Sequence, residues 1–388
     1  MSWVGPIDRG WVVRHEVPGP DVDEFAEPDR IIDALGRRTT DTLLAVQHPH
    51  RTPAARAEGL GLLDALPTAR ATLSVLLRKD YRAVTDVVAP YEVDGPDGTA
   101  CGLLCMVDPA AVDADGIGRV RHSEEIYPEV VAERAEVLAG LGYATSAAML
   151  VPVGEQDTLT AAVRRTIAHQ PPEVSTVDSN GRRHRLWLLG PGPARDDVLA
   201  EVAAHPLMVA DGNHRVAAAA AAGLSGLLAL VTAGPRLRIG AFHRVLMGTD
   251  LDAATLRDLW RGHGLTVHEV DHAAPPEHPG TVVARCPAGT LVVELPTGGI
   301  DHAAVEDLLI RDALGIDPEG PHVRPLAGDR PPPPDADAVL LLAPVPLADV
   351  LAVHAAGRRM PRKSTYFTPK PRSGLLLAEL SGGRGPRP

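Results

Sequence analysis

Lysine is almost missing from this sequence. Lys79, Lys363 and Lys370 are the only three, although Lys and Arg together number 38. Cysteine is equally scarce. Cys101, Cys105 and Cys286 are too few and too poorly spaced for a disulfide framework or a zinc site, and the apolar run CGLLCMV places the first two in a core. No apolar run approaches the ~18 residues that span a bilayer. The start, MSWVGPIDRGWVV, has early charges and no apolar stretch of a secretory leader, so a soluble, cytoplasmic chain is expected. A basic excess is missing too. The net charge is −12 and the pI about 5.7, which argues against a nucleic-acid footprint and leaves room for one small anion. Neither the dinucleotide-binding nor the Walker glycine pattern occurs.

What is present is a long alternation of strand-like and helix-like segments, which predicts a mixed α/β or α+β fold. At 388 residues, two or three domains are expected. PDRIIDALGR (28–37), ARAEGLGLLDAL (55–66), PEVVAERAEVLAGLG (128–142), DTLTAAVRRTIAHQ (157–170), ATLRDLWRGHG (254–264), DHAAVEDLLIRDALG (301–315) and LADVLAVHAAG (347–357) read as helices. TLLAVQHP (42–49), SAAMLVPV (146–153), RRHRLWLLG (182–190), LLALVTA (227–233), LTVHEV (265–270) and AVLLLAP (338–344) read as strands. YRAVTDVVAPYEV and TACGLLCMV form a pair across GPDG, and TVVARC with LVVELP a hairpin.

The most specific local signal is LMVADGNHRVAAAAAAG (207–223). The apolar run reads as a buried strand, Asp211-Gly212 as a tight turn and Asn213 as an N-cap. Alanines then carry a helix to a stop at Gly223. His214 and Arg215 fall in the first turn, where the helix dipole disfavours a cation by a few tenths of a kcal/mol to ~1 kcal/mol. A bound anion reverses that sign, so Gly212, Asn213, His214 and Arg215 read as a phosphate cradle; the plain alternative is a strand–turn–helix with a solvated arginine.

Four other groups carry polar chemistry. His243-Arg244 ends an apolar strand and reads first as a surface charge. RVRHSEEIYPEVVAER (119–134) gathers His122, Glu124 and Glu125 near a helix start; a solvated face is the default, and a general base or magnesium ligand the functional reading. MPRKSTYFTPKPRSGLL (360–376) is an aperiodic loop with two of the three lysines, where Lys and hydroxyl groups suit phosphate. His263, His268 and His272 have loose metal spacing but lie on a helix end, a strand end and a loop.

Several of these segments together resemble domain-of-unknown-function family 1015. ADGNHRV (210–216) is similar to its Ala-Asp-Gly-His-His-Arg-Tyr signature, with Asn213 and Val216 in place of His and Tyr. MPRKSTYFTPKPRSGL (360–375) is similar to its C-terminal block almost without change. VRHSEE…ER resembles its Arg-His-Glu element, with Ser123 where the family has Glu, and NGRRHRLWLL and AFHRVL resemble its His-x-Leu-Trp and His-Arg strands. The turn also resembles that of ParB/sulfiredoxin-like proteins, which include free serine kinases.

The segment pattern divides the chain into an N-terminal α/β region (1–115), a core (116–249) that resembles ParB/sulfiredoxin-like proteins, a C-terminal α/β domain (250–380) and a frayed tail (381–388). The resemblance implies a small-molecule kinase using ATP or ADP and Mg²⁺, with a serine-like hydroxyl acceptor; charge and hydropathy predict no nucleic-acid or membrane partner, and a homodimer is allowed. Gly212, Asn213, His214 and Arg215 would hold nucleotide phosphates, and Asp211 would orient the turn or bind the metal. Lys363, Ser364, Thr365, Tyr366 and Lys370 would close over the transferring group, with His243 and Arg244 as a second clamp. Glu124 or Glu125 would be the base, and His122 would face substrate. A nucleotide hydrolase or switch, and a non-catalytic binder that lost its base at Ser123, stand as alternatives.

Overall fold

The computed structural model describes residues 2–21, 28–38, 40–153, 157–233, 237–328 and 330–381. The chain is mixed α/β, as its alternating pattern predicts. It divides into two compact units, one of residues 1–122, 126–237 and 369–388, the other of residues 123–125 and 238–368. Most of the expected tail, residues 382–388, lies outside the described residues. Among those described, no helix is long and apolar enough to cross a membrane.

The first unit is built on a nine-stranded sheet. Its successive neighbours are Val120–Arg121, Leu207–Asp211, Ala148–Pro152, Leu227–Ala233, Gly98–Val107, Ala89–Gly95, Arg183–Leu186 and Val174–Val177, and Val4–Gly5 pairs with Gly98–Val107. The boundary expected near residue 115 is therefore not a domain boundary. Strands from both sides of it share one sheet, with Leu227–Ala233 registered along Gly98–Val107. The glycine in CGLLC makes that approach close: a Cβ on Gly102 would lie 2.1 Å from the Val231 carbonyl oxygen. The core strands are nearly continuous apolar runs because both faces are covered. A smaller sheet, in the order Tyr81–Val87, Ile7–Val13, Leu376–Glu379 and Tyr143–Ala144, completes this unit.

Two expectations fail here for local reasons. TLLAVQHP is a helix, Leu43–Gln47, because the Thr42 hydroxyl accepts the Ala45 N–H and caps it. Its three buried apolar residues suit either element, so the run alone could not decide. The helix expected over 55–66 is interrupted: Pro53–Ala57 ends inside that span, and Leu66–Lys79 begins at its last residue.

The second unit holds a six-stranded antiparallel sheet. Its order is Val267–Val270, Gly289–Glu294, Thr281–Cys286, Ala336–Leu341, Phe242–Met247 and Val323–Ala327. Helix Ala253–Gly262 and the helical stretch 301–312 supply Leu256, Trp260, Val305, Leu309 and Ile310 to its core. Arg238–Gly240 pairs with Tyr366–Thr368 as a separate ribbon, which gives strand structure to part of the expected aperiodic loop.

Candidate functional site

Strand Leu207–Asp211 runs through the core of the first unit and ends in a register shift against Ala148–Pro152, between Val209 and Asp211. Such a bulge re-aims the residue after it, which here is Asp211. Gly212 follows at φ 91 and ψ 31, and helix Asn213–Ala221 begins. The cap is thus Gly212 rather than Asn213, because only glycine takes this left-handed conformation without a Cβ penalty. The first intrahelical bond runs from Val216 N–H to Gly212 C=O at 2.9 Å, so the amides of Asn213, His214 and Arg215 precede the helical ladder. Ala218 and Ala219 are fully buried, and this helix packs on helix Pro128–Leu141. Gly223, at φ 64, follows its end as the sequence predicts.

The side chains of the turn split into struts and charges. His214 Nε2 accepts the Tyr127 backbone N–H at 3.2 Å, and the two rings stack at 5.6 Å. Nε2 as acceptor leaves the ring proton on Nδ1. Asn213 is buried, with Oδ1 3.3 Å from His122 Nδ1. Both residues, expected on phosphate, tie the turn to segment 122–127, and His122, expected on substrate, is one of their partners. The charged set is Arg215, Asp211 and Lys370. Lys370 Nζ lies 2.6 Å from Asp211 Oδ1, and Arg215 Nη2 lies 3.9 Å from Asp211 Oδ2. Arg215 Nη1 also donates to the Ala147 carbonyl. These side chains remain partly accessible, at 17% for Lys370, 29% for Asp211 and 26% for Arg215. Arg134 belongs to the same neighbourhood: desolvation and the positive charge of Arg215 both lower its pKa.

The donor set does not fit a metal held by the protein alone. Asp211 already faces two cations, and among the described residues no group of three or more His, Cys, Asp or Glu side chains could hold an ion.

The remaining expected residues lie in the second unit and form their own cluster. Arg244 is 2% exposed, and its guanidinium is occupied. It meets Glu306 Oε1 through Nε at 2.7 Å and Nη2 at 2.6 Å, and donates to the carbonyls of His243 (3.2 Å), Lys363 (3.1 Å) and Arg362 (2.8 Å). Arg244 is therefore a strut for the 362–363 backbone rather than the expected second clamp. That strut has a reason. Lys363 sits at φ 50, a left-handed conformation costing a non-glycine residue about 1 kcal/mol or more, and its ammonium lies 5.9 Å from the Phe242 ring centre. A cleft open to solvent is lined by Arg244, Glu306, Glu319, Arg362 and Lys363.

His243 is buried and accepts the Leu342 N–H through Nδ1 at 3.2 Å. Burial, helped by the Arg244 charge, lowers its pKa to about 4. The same two causes lower that of His302 to about 3; its Nε2 meets the Phe242 carbonyl at 2.9 Å. Neither Ser364 nor Thr365 offers its hydroxyl at a surface. Ser364 donates to the Pro361 carbonyl at 2.6 Å and Thr365 to Glu124 Oε1 at 3.1 Å. Glu124, expected as a base, is thus a loop anchor, Glu125 is exposed, and Tyr366 packs edge-on against Phe242.

Sequence reasoning missed Tyr91, Asp21 and Arg372. Tyr91 is fully buried, Asp21 is buried, and both bind the segment that carries Lys370. Arg372 stands two residues beyond Lys370 in the quoted block, and that proximity was the available signal.

Residues 68–261 match the family described as protein of unknown function, DUF1015. No curated protein matches the chain. Among solved structures, a conserved hypothetical protein from Pyrococcus furiosus is similar at 12% identity, covering 66% of this chain and 92% of that one, with a TM-score of 0.37. A free serine kinase in complex with AMP is similar at 13% identity, 66% and 89% coverage, and 0.37. C-terminally truncated SbnI from Staphylococcus aureus is similar at 14% identity, 71% and 87% coverage, and 0.40. Likeness this remote carries no chemistry from one protein to another. The family match covers half of the sequence, and the chain belongs to the DUF1015 family.

Proposed function

We propose that the chain binds a nucleotide, ATP or ADP, with its phosphates at the Asp211–Arg215 turn, and transfers the terminal phosphoryl group to a hydroxyl of a small metabolite. One observation carries the reading: a left-handed glycine opens a helix at the end of a core strand, and Arg215 and Lys370 converge there on Asp211. Helix-start amides, a guanidinium and an ammonium are the donors that phosphate oxygens use.

In this reading Asp211 keeps the place of the anion. A phosphate group brings more charge and more acceptor oxygens than one carboxylate, so it takes over Lys370 and Arg215. Asp211, released from them, becomes the acceptor for the proton of the attacking hydroxyl. The bond from phosphorus to the nucleotide's leaving oxygen breaks, the bond to the acceptor oxygen forms, and the hydroxyl proton passes to the carboxylate. Such a reaction asks mainly for positioning and charge neutralisation, which this side-chain set supplies. Mg²⁺ enters with the nucleotide as part of the substrate. The family resemblance suggests a serine-like amino acid or related metabolite as acceptor.

The test is nucleotide turnover by the purified full chain with Mg²⁺, ATP or ADP, and a panel of hydroxyl-bearing amino acids and metabolites, beside Arg215→Ala. Acceptor-dependent phosphorylation that the substitution abolishes supports the kinase. Nucleotide loss without an acceptor replaces it with a hydrolase, and tight binding without turnover replaces it with a binder.

A further inference from the structure

The strand around RRHRLW takes no part in the proposed reaction, yet it carries a buried histidine. His184, on Arg183–Leu186, is 1% exposed. In the antiparallel register it faces Val93, while Leu186 faces Tyr91. Tyr91 and His184 are therefore diagonal neighbours on one face of the sheet. Tyr91 Oη lies 2.6 Å from His184 Nδ1, and His184 Nε2 lies 3.1 Å from Asp178 Oδ2. The Arg372 backbone N–H donates to Tyr91 Oη at 3.0 Å.

These bonds have a direction. A phenol has one proton, and its oxygen accepts from Arg372, so its own O–H points to Nδ1. That assigns the ring proton to Nε2, where Asp178 accepts it. Burial is the largest influence on His184 and lowers its pKa against the opposing pull of Asp178, which agrees with this neutral form. The same segment is gripped again one residue on. Asp21 Oδ2 accepts the Ser373 N–H at 2.9 Å and faces Arg372 Nη1 at 3.5 Å, and Arg372 Nη2 donates to the Gly19 carbonyl at 3.0 Å. Lys370, two residues before Arg372, is the residue that reaches Asp211. Lys370 lines a shallow, solvent-open depression together with Asp21, Asp178, Asn180, Arg182 and Arg372.

We propose that Tyr91, His184 and Asp178 are positioning residues: their buried relay holds the Arg372 backbone and thereby sets the Lys370 ammonium on Asp211. The functional weight of that placement rests on the phosphate reading of the turn, but the placement can be measured without it.

The scarcity of lysine makes the experiment direct. The full chain is labelled with trace acetic anhydride, and acetylation of Lys79, Lys363 and Lys370 is followed by peptide mass spectrometry. Lys79 and Lys363 are exposed and serve as internal references for the reagent, while circular dichroism and thermal unfolding of each variant check that the fold is kept. Tyr91→Phe removes one oxygen and speeds Lys370 labelling by about threefold, the scale of a partly exposed ion pair, with the other two rates unchanged. Asp211→Asn, which removes the partner itself, sets the upper bound. An unchanged Lys370 rate in Tyr91→Phe, or an equal rise at all three lysines, overturns the proposal. Protection of Lys370 by ADP, and its loss in Arg215→Ala, tests the phosphate reading separately.

Discussion

Replacing Gly212 by alanine separates the backbone cost of the turn from its proposed use. An ideal Cβ there would meet Arg215 Cζ at 3.4 Å and both Arg215 Nη1 and Ala148 Cβ at 3.5 Å, which is ordinary contact. The folding penalty is thus mainly the dihedral, φ 91, and amounts to about 1–2 kcal/mol for a non-glycine residue. Gly223, at the other end of the same helix, provides the control. It has φ 64 and nothing within 4 Å of its Cβ position, so Gly223→Ala meets a similar backbone penalty with no neighbour. Each substitution should lower the melting temperature by a few degrees, roughly 2–4 °C per kcal/mol in a unit of this size. Only Gly212→Ala places a methyl group against the guanidinium proposed to take phosphate, so only it should weaken ADP binding, by about tenfold or 1.4 kcal/mol. Thermal unfolding and calorimetric titration on both variants decide the matter. Equal ADP affinities for two equally destabilised variants would refute the assignment of the turn.

Asp211→Asn should split binding from chemistry: removing the carboxylate that competes for Lys370 and Arg215 tightens phosphate binding, while turnover falls for want of a proton acceptor. Titration and a steady-state assay on one preparation check both. Arg244→Met leaves Glu306 and three carbonyls without their donor, and should cost about 3–5 kcal/mol, read as a large loss of the denaturation midpoint. Lys363→Gly removes a strained φ of 50 and should be neutral or stabilising by up to ~1 kcal/mol, because the relief is partly offset by unfolded-chain entropy. Acid should destabilise the second unit. His243 and His302 have native pKa values of about 4 and about 3, against an ordinary 6.5. The unfolded chain therefore takes up protons that the native chain refuses as pH falls below 6.5, and stability is lost progressively towards pH 3. Urea midpoints between pH 7 and 3 should show it, with a shallower decline in His302→Leu.

The strand–turn–helix at 207–223 was legible because its signals are local: an apolar run, a glycine, alanines and a final glycine. Its cap falls one residue before the one composition predicts, since Asn213 suits the role by type while the left-handed backbone falls on Gly212. The roles of His214, His243 and Arg244 were not legible. Each is a polar residue beside a motif, and only tertiary packing shows that Tyr127, Leu342 and Glu306 engage them. The same holds for the domain boundary, because pairing of Gly98–Val107 with Leu227–Ala233 joins residues more than a hundred positions apart. The lysine anomaly pointed to the right loop but could not divide it: Lys363 and Lys370 belong to different units.

The most direct measurement is calorimetric titration of ADP into the full chain and into Arg215→Ala. A charge-assisted hydrogen bond to phosphate contributes about 1.5–3 kcal/mol, so the account predicts affinity lower by about 10- to 100-fold in the variant, with its fold intact. Equal affinity in the two proteins, or no ADP binding by the native chain, would contradict it.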